Sequence, residues 1–372
     1  MSAMHPPQTP SVSASLHALL HQTLQEQGGW LPFDQFMNLA LYAPGLGYYA
    51  RDTPKFGHLP QSGSDFVTAP ELSPLFGKTL ALQVRQALQA CGSSEIIEFG
   101  AGSGALAGQL LDALGGMVDR YTLIELSAPL RQRQQSTLAP WAHKVRWLDT
   151  WPAVIHGVVV ANEVLDAMPV QLLSFNGQVW AERGVVWHQG AWAWADVPTS
   201  LRPPVTMNTV PGTVTEIHPH AEAFITSLSQ RLVKGAVFLI DYGFPEAEYY
   251  HPQRQGGTLM CHRAHQSDTN PLVDVGEKDI TSHINFTGIA LAAQDAGMDI
   301  LGYTSQGNFL LNCGLLDHLN LAELPTLILA QKLITEHEMG ELFKVLGLAR
   351  GCHGELIESP IGFSRGDRSH TL

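Results

Sequence analysis

The feature that most constrains the fold is a glycine-rich segment, E-F-G-A-G-S-G at residues 98–104. It follows a short apolar run at residues 95–99 and precedes a stretch with helical spacing at residues 105–114. Glycines are needed where the chain turns sharply after a strand and where the backbone approaches a ligand without Cβ atoms in the way. The segment therefore predicts a strand, a ligand-binding turn and a helix.

Short apolar runs alternate with helical stretches through much of the chain. They occupy residues 121–125, 145–148, 157–161, 236–240 and 299–304. Apolar runs of this length that alternate with helices are typical of a parallel sheet covered on both faces. The predicted fold class is α/β, with a parallel sheet covered by helices.

Several regions depart from this alternation and suggest a domain organisation. Residues 15–92 have helical spacing interrupted by a Gly- and Pro-rich stretch, and they predict a helical N-terminal cover over a sheet domain at residues 93–372. Within that domain, an Asn-Gly turn between apolar flanks predicts a β-hairpin insertion at residues 172–197. Helical stretches predict a second insertion at residues 306–338, and residues 1–14 are expected to form a disordered lead.

Composition limits the partners and the compartment. With 21 Lys+Arg against 34 Asp+Glu, the net charge is −13, which disfavours a broad nucleic-acid or anionic-membrane surface. The four cysteines form no C-x-x-C pair and the histidines match no zinc spacing, so no metal is predicted. No apolar run approaches the roughly 18–20 residues of a bilayer span, so no membrane insertion is expected. Residues 1–15 lack a signal or transit pattern, and a cytoplasmic location is predicted.

Two classes of cofactor compete for the glycine-rich turn. With Ala105 the segment also satisfies G-x-G-x-x-A, the dinucleotide fingerprint. A dinucleotide would place its pyrophosphate beside Glu98, which is unfavourable, whereas S-adenosylmethionine brings a cationic ammonium and sulfonium. E-x-G-x-G-x-G is also the form usual in seven-strand methyltransferases. Charge therefore favours S-adenosylmethionine, bound by Glu98, Gly100, Gly102 and Gly104.

Two further acids follow the next strands. Glu125 ends the second run, where a carboxylate can accept hydrogen bonds from both hydroxyls of an adenosine ribose. A helix N-terminal acid would explain its charge but not its coincidence with the glycine-rich turn. Asp149, just beyond the third run, is a candidate for the adenine end, and a surface turn residue is an equal alternative.

The fourth run ends in A-N-E-V-L-D-A-M-P at residues 161–169. The ligand crevice of a doubly wound sheet lies beyond the carboxyl ends of its central strands, so Asn162 and Glu163 would face a methyl acceptor. A guanidinium acceptor is cationic and releases a proton as the methyl arrives, and a carboxylate clamp would orient it. Glu163 is the predicted clamp. Asp166 is the second candidate, with a capping or turn role as its alternative.

Together these motifs resemble the MidA-type methyltransferases, a family that includes the mitochondrial complex I assembly factor that methylates an arginine of a core subunit. The resemblance extends over about residues 30–350. It is carried by G-L-G-Y-Y at 45–49, D-F-V-T-A-P-E at 65–71, the glycine-rich segment, N-E-V-L-D-A-M-P at 162–169, D-Y-G at 241–243 and M-G-E-L-F-K-V-L at 339–346.

The resemblance implies a Rossmann-like seven-strand class I methyltransferase with an N-terminal helical cover and a C-terminal helical insertion, using S-adenosylmethionine. It implies a protein arginine as acceptor, for example in a respiratory complex I subunit. Ala69 stands where relatives often have serine, which leaves any hydroxyl role to Thr68. If this segment folds over the cofactor mouth, Thr68 would bond the methionine end and Glu71 would be a second acid beside the acceptor. Tyr242 would be an aromatic wall or a packed core residue.

Two alternatives to a protein-arginine methyltransferase stay open at this point. The same fold can methylate a small molecule or a nucleic acid. The chain can also keep the cofactor pocket and work as an assembly factor without turnover.

Overall fold

The computed structural model describes residues 11–51, 68–206, 209–319 and 324–372. Its α-helices are α1 (Val12–Glu26), α2 (Phe33–Tyr42), α3 (Ala69–Leu72), α4 (Leu75–Cys91), α5 (Ala105–Leu114), α6 (Ala128–Thr137), α7 (Pro219–Arg231), α8 (Glu246–Tyr249), α9 (Phe286–Asp295), α10 (Gln306–Asn312), α11 (Leu324–Ile334), α12 (Met339–Leu342) and α13 (Glu355–Glu358).

Its β-strands are β1 (Leu31–Pro32), β2 (Glu95–Phe99), β3 (Arg120–Ile124), β4 (Val145–Leu148), β5 (Ile155–Asn162), β6 (Gln171–Phe175), β7 (Trp180–His188), β8 (Ala191–Pro198), β9 (Val214–Ile217), β10 (Leu232–Phe244), β11 (Met260–Arg263), β12 (Gln266–Asp268), β13 (Asp279–Thr281), β14 (Ile284–Asn285), β15 (Asp299–Ser305) and β16 (Phe343–Arg350).

The central sheet has the strand order β15-β16-β10-β5-β2-β3-β4, and β14 pairs with the end of β10. Five neighbouring strands of this sheet are parallel to one another, namely β10, β5, β2, β3 and β4. β16 runs antiparallel to both of its neighbours. From β2 the chain first builds outward to β4 and then returns to place β5 on the other side of β2, so the strand order reverses between β2 and β5. This is the predicted α/β Rossmann-like sheet.

Helices cover both faces of this sheet because its central strands are apolar on both sides. In β5, Val158 and Val160 pack in one core cluster with side chains of α4 and α5. Val159, which points the other way, packs in a second cluster with side chains of α7 and α9. Since α4 packs directly on the sheet, it belongs to the sheet domain and not to the predicted N-terminal cover at residues 15–92.

A second, antiparallel sheet lies beside the first. Its order is β1-β7-β6-β9, with β8 on the outer side of β7. Its apolar face packs against α1 and α2 in one cluster that also takes in Cys261 of β11 and Ile280 of β13. The predicted hairpin insertion at residues 172–197 is therefore too small. The inserted sheet continues to Ile217, takes in a strand from the N-terminal segment, and packs against a three-stranded sheet of order β12-β11-β13.

The predicted disordered lead, residues 1–14, also needs correction where the structure describes it. α1 already begins at Val12, because the Ser11 hydroxyl caps it by accepting a hydrogen bond from the Ala14 backbone N–H at 3.2 Å. The predicted insertion at residues 306–338 contains α10 and α11, between β15 and β16. Across residues 11–51, 68–206, 209–319 and 324–372, no helix has both the length and the apolar composition to span a bilayer.

Candidate active site

A cavity of about 1030 Å³ opens at the carboxyl ends of β2, β3, β5 and β10. This is the edge where the strand order reverses, the usual ligand crevice of an open α/β sheet. Six carboxylates line it, and no Lys or Arg does among the residues that the structure describes. These carboxylates belong to Glu71, Glu98, Glu125, Glu163, Asp166 and Asp279.

The glycine-rich turn forms one wall of the cavity. Gly100, Gly102 and Gly104 have φ angles of 65°, 52° and 86°, in the left-handed region that favours glycine. A Cβ atom on Gly100 would lie 2.6 Å from Cγ2 of Val164, so the turn and the segment after β5 approach too closely for any other residue. Gly104 lies outside the cavity lining and is the N-cap of α5; its cofactor contact stays a prediction.

Glu98 is a buried acid that lines this cavity. The Tyr121 hydroxyl donates a hydrogen bond to its carboxylate at 2.6 Å. Burial raises the pKa of Glu98 to about 7, because a charged carboxylate is costly away from water. A cationic ligand would offset that cost. Tyr121 was not predicted, since nothing in the sequence distinguishes a tyrosine at this position of β3 from a core residue.

Glu125 is fixed by a set of hydrogen bonds that centres on Gln134 of α6. The Gln134 amide nitrogen donates to the Glu125 carboxylate at 2.9 Å and to the Gly102 carbonyl at 3.0 Å. The Gln134 amide oxygen accepts a bond from the Trp147 indole at 3.0 Å. The second Glu125 oxygen accepts the Ser127 backbone N–H at 2.8 Å. Gln134 is fully buried and was missed, because one polar residue in an otherwise polar helix carries no sequence signal.

Asp149 does not reach the cavity. It is exposed in the bend after β4, which matches the surface-turn alternative. The lining residue nearby is Trp151, whose ring lies 4.8 Å from that of Phe99 and 4.9 Å from that of Phe224. These aromatic side chains give the cavity an apolar wall that sequence reasoning did not identify.

The segment after β5 holds two acids in an unusual backbone conformation. Glu163 has a φ of 54°, which is uncommon for a non-glycine residue. The Asn162 amide donates to its carboxylate at 3.0 Å, and the Ala69 backbone N–H donates to it as well. Burial, together with the negative charge of Asp166, raises the pKa of Glu163 to about 8. The Asn162 Oδ1 atom is buried and has no hydrogen-bond partner within the described residues.

Asp241 of β10 anchors this segment. One of its carboxylate oxygens accepts the backbone N–H groups of Val164, Leu165 and Asp166 at 3.2, 2.9 and 3.2 Å. The segment after β5 is therefore held by β10 as well as by β5, and both strands position Glu163. The D-Y-G motif was noted only for the family resemblance, and this anchoring role was not predicted.

Asp166 is buried and bonded to Tyr242. The Tyr242 hydroxyl donates to one Asp166 oxygen, while the other oxygen is buried without a hydrogen-bond partner in the described part of the chain. Burial raises the pKa of the Asp166 carboxyl. Tyr242 lines the cavity, as a wall residue would, and its hydroxyl is hydrogen-bonded, as that of a packed residue would be.

The short helix α3 joins the glycine-rich turn to Glu163. Thr68 precedes it and lines the cavity, and Asp65 lies outside the described residues. Glu71 accepts a hydrogen bond from the Ser103 hydroxyl in the glycine-rich turn. Glu71 also lines the cavity, and its predicted role beside the acceptor stays a prediction.

The far end of the cavity is built by elements outside the central sheet. The Tyr49 hydroxyl donates to the Asp279 carboxylate at 2.8 Å, and the Tyr42 hydroxyl donates to the Ala167 carbonyl at 2.9 Å. The two tyrosine rings are stacked, with centroids 5.5 Å apart. Tyr49 belongs to the G-L-G-Y-Y motif, but neither its partner Asp279 nor this arrangement was predicted. No cluster of His, Cys, Asp and Glu side chains suited to a metal ion occurs in the described ranges.

These residues fit S-adenosylmethionine. The turn excludes a Cβ at Gly100, Glu98 and Glu125 supply negative charge on adjacent strands, and Trp151 supplies an apolar wall. A pyrophosphate would meet several carboxylates here and no cationic side chain among the described lining residues. The fold and the site thus define a class I methyltransferase that uses S-adenosylmethionine.

Comparison with known proteins gives the family. Residues 79–304 match the model of a family described as "Putative S-adenosyl-L-methionine-dependent methyltransferase", and the chain belongs to this family. The chain is also similar to a crystal structure from Burkholderia thailandensis bound to S-adenosyl-homocysteine, with 47% identity, a TM-score of 0.93 and full coverage of both chains. The predicted cofactor, S-adenosylmethionine, is confirmed.

Curated relatives are more distant. The chain is 25% identical over 381 residues to "Protein arginine methyltransferase NDUFAF7, mitochondrial" of Danio rerio, covering 87% of this chain and 85% of the relative. For the Homo sapiens protein of the same name the identity is 26%, with coverages of 84% and 79%. The predicted cytoplasmic location is wrong by this comparison, because both relatives have mitochondrial names. It rested on the lack of a targeting pattern, which does not report a compartment.

Proposed function

We propose that this methyltransferase acts on a guanidinium nitrogen of an arginine in a protein. The observation that carries the proposal is a cavity lined by six carboxylates and, among its described residues, by no Lys or Arg. Such a site favours a cationic acceptor beside a cationic donor. The names of the relatives support arginine as that acceptor.

The two ends of the cavity have different roles in this proposal. Glu125, Glu98, Asn162 and Tyr242 stand on or just after β3, β2, β5 and β10, which are neighbours in that order. Adjacent strands are about 4.8 Å apart, so Glu125 and Tyr242 are separated by roughly 14 Å across the sheet. We assign the β3–β2 side to the cofactor, held by Glu125, Glu98, the glycine-rich turn and Thr68. When bound, S-adenosylmethionine supplies a methyl group on a positively charged sulfur.

The β5–β10 side receives the acceptor. Glu163 accepts N–H bonds from the guanidinium and orients the reacting nitrogen, with Asn162 and the Ala69 N–H holding its carboxylate. The nitrogen would form its new bond to the methyl carbon with its own lone pair, while the carbon–sulfur bond would break with its electron pair left on sulfur, giving neutral S-adenosyl-homocysteine. The pair of the broken N–H bond then stays on nitrogen, and the proton passes to a Glu163 oxygen. Glu163 must be ionised to accept this proton, and the positive charge of the bound guanidinium favours its ionised form. Its pKa of about 8 without that cation makes the ionised carboxylate a stronger base than an ordinary glutamate. Asp166 is the second candidate for the carboxylate that clamps the guanidinium.

The test uses the full chain with S-adenosylmethionine and candidate proteins, followed by mass spectrometry of their arginines. A respiratory complex I subunit, the acceptor implied by the family resemblance, is the first to try. Addition of a methyl group to arginine is expected, and Glu163→Gln should lower the rate by about 10²–10⁴ while S-adenosyl-homocysteine still binds. Asp149→Asn is the control, because Asp149 is exposed outside the cavity.

Other outcomes point to the alternatives. Methylation of a small molecule or a nucleic acid, with none of any protein arginine, would replace this proposal by a different acceptor. Cofactor binding without turnover on any acceptor would favour the assembly-factor alternative. Full transfer by Glu163→Gln would leave the arginine acceptor in place but reject Glu163 as the clamp.

A further inference from the structure

The G-L-G-Y-Y motif at residues 45–49 has no part in the proposed transfer, yet it builds a feature of the cavity wall. After α2 the chain folds back, and the Tyr49 backbone N–H donates to the Leu41 carbonyl at 2.8 Å. A Cβ atom on Gly47 would lie 2.6 Å from the Ala43 nitrogen and 2.7 Å from the Leu41 oxygen, so only glycine allows this close return. The motif therefore brings Tyr49 against the last turn of α2.

That last turn ends at Tyr42, and the rings of Tyr42 and Tyr49 stack there. Their centroids are 5.5 Å apart, and the angle between their planes is 16°. The Tyr42 hydroxyl donates to the Ala167 carbonyl at 2.9 Å, and the Tyr49 hydroxyl donates to Asp279 at 2.8 Å. Tyr48 packs edge-on against Tyr49, with ring centroids 5.0 Å apart. The two stacked rings are therefore fixed in place at the acceptor end of the cavity.

One ring of this pair is open to a ligand. Tyr42 and Tyr49 both line the cavity. Tyr42 keeps 37% of its surface exposed, whereas Phe36, Met37 and Leu41 of the same helix are fully buried. Because Tyr49 covers one face of the Tyr42 ring and the Tyr42 hydroxyl is already bonded, the opposite face of the ring is the part left to meet a ligand.

The chemistry of this end suits a planar cation. The faces of an aromatic ring carry partial negative charge, so a guanidinium can stack on one with its plane while its N–H groups point along its edges toward carboxylates. Glu163 and Asp166 line the same cavity, and Ala167, which accepts the Tyr42 hydroxyl, directly follows Asp166 in the chain. An ammonium has no plane to stack and is more strongly hydrated, so it gains less from such a ring.

We propose that Tyr42 is a substrate-binding residue whose open ring face stacks on the acceptor guanidinium, and that this contact makes the site prefer arginine to lysine. The inference rests on the proposed function, since it concerns the same acceptor. Tyr49 is a positioning residue that supports the Tyr42 ring from its other face. The G-L-G-Y-Y motif thereby gains a role, because Gly47 allows the return of the chain that places Tyr49 there.

The test measures binding of N-acetyl-arginine amide and of N-acetyl-lysine amide to the full chain saturated with S-adenosyl-homocysteine, by calorimetry. Tyr42→Leu removes the ring, and we expect it to weaken binding of the arginine compound by roughly 5- to 30-fold and binding of the lysine compound less. Tyr42→Phe keeps the ring and removes only the hydroxyl, so binding of the arginine compound should stay within about twofold. Neither variant should change the affinity for S-adenosyl-homocysteine, since Tyr42 belongs to the acceptor end.

Trp187→Leu is the matched control. Trp187 is an aromatic residue of β7 that is 40% exposed, much like Tyr42, but it lies outside the cavity lining. This variant also removes an exposed ring, so it should leave the binding constants of both compounds and the preference for arginine unchanged.

Three results would reject the inference in distinguishable ways. Unchanged binding of the arginine compound to Tyr42→Leu would remove the ring from the acceptor site and leave the proposed function standing. A loss in Tyr42→Phe as large as that in Tyr42→Leu would assign the effect to the hydroxyl bond and not to the ring. A wild-type chain that binds S-adenosyl-homocysteine but no arginine compound would overturn both the inference and the proposed function.

A second measurement decides if Tyr42→Leu also loses S-adenosyl-homocysteine. Tyr42→Phe with fluorine in place of the ring hydrogens keeps an aromatic ring of nearly the same shape and reverses the charge of its faces. A further loss of about fivefold or more in binding of the arginine compound, relative to Tyr42→Phe, would support the stacked cation. Binding equal to that of Tyr42→Phe would reject it.

Discussion

The close approach of the glycine-rich turn to the segment after β5 gives a quantitative prediction, tested by Gly100→Ala. Two costs are expected. A Cβ in the left-handed backbone conformation costs about 1–2 kcal/mol. The contact of 2.6 Å with Val164 Cγ2 is far inside van der Waals distance, so one of the two segments must move. Overpacking of this kind adds about 1–3 kcal/mol, for a total loss of about 2–5 kcal/mol.

Gly92→Ala separates the two costs. Gly92 ends α4 with a φ of 67°, close to the 65° of Gly100, but a Cβ there would meet no atom within 4 Å. Gly92→Ala should therefore lower the free energy of unfolding only by the cost of the left-handed backbone conformation, about 1–2 kcal/mol. The assay is equilibrium urea unfolding of both variants, with calorimetric binding of S-adenosyl-homocysteine. Gly100→Ala should also bind the ligand more weakly, because Gly100 lines the cavity and Gly92 does not.

Val164→Ala identifies the clashing atom. Removing Cγ2 should relieve the contact, so the double variant Gly100→Ala/Val164→Ala should be more stable than the sum of the single losses by about 1–3 kcal/mol. Equal losses for Gly100→Ala and Gly92→Ala, or additivity within about 0.5 kcal/mol, would show that the two segments are not in tight contact.

Two further predictions concern the buried polar groups of the site. Burial raises the pKa of Glu163 from 4.5 to about 8, so the folded chain binds a proton there more tightly than the unfolded chain does. The contribution of Glu163 to the free energy of unfolding is full below pH 4.5 and is lost as the pH rises through 8. The free energy of unfolding, measured with urea between about pH 5.5 and 8.5, should therefore fall more steeply for the wild type than for Glu163→Gln. Parallel curves for the two proteins would contradict the raised pKa. Gln134→Leu leaves the Trp147 indole without a partner and removes one of the hydrogen bonds of the Glu125 carboxylate, which keeps the bond from the Ser127 N–H. This should cost about 2–4 kcal/mol of stability and weaken S-adenosyl-homocysteine binding about tenfold. Unchanged binding would show that Glu125 does not depend on Gln134.

The parts of the fold that could be predicted are those whose signal is local. The apolar runs at residues 121–125 and 157–161 lie on β3 and β5, because central strands buried on both faces are apolar throughout. β12 at Gln266–Asp268 is exposed at every position and three residues long, so it has no apolar periodicity to detect. The three-stranded sheet was missed for that reason.

The site divides in the same way. Glu98, Glu125 and Glu163 could be found because the carboxyl ends of parallel strands meet at one edge, a rule that needs only the order of the strands. Asp279 could not, because its bond to Tyr49 joins residues 230 positions apart on two elements outside that sheet. Partners brought together by tertiary packing leave no trace in the local sequence, and no spacing rule predicts them.

The backbone at Glu163 supports a functional role for this residue independently of the comparisons. A non-glycine residue in the left-handed region costs about 1–2 kcal/mol, and a buried carboxylate with a raised pKa adds an electrostatic cost. Glycine would remove the first cost and an apolar side chain the second. The structure instead holds this conformation with the Asp241 bonds to the residues that follow and with the Asn162 bond to the carboxylate. Strain of this kind persists where the surroundings enforce it, which is common at active sites. A cation at this end of the cavity would offset the electrostatic cost, which supports the positively charged acceptor proposed above.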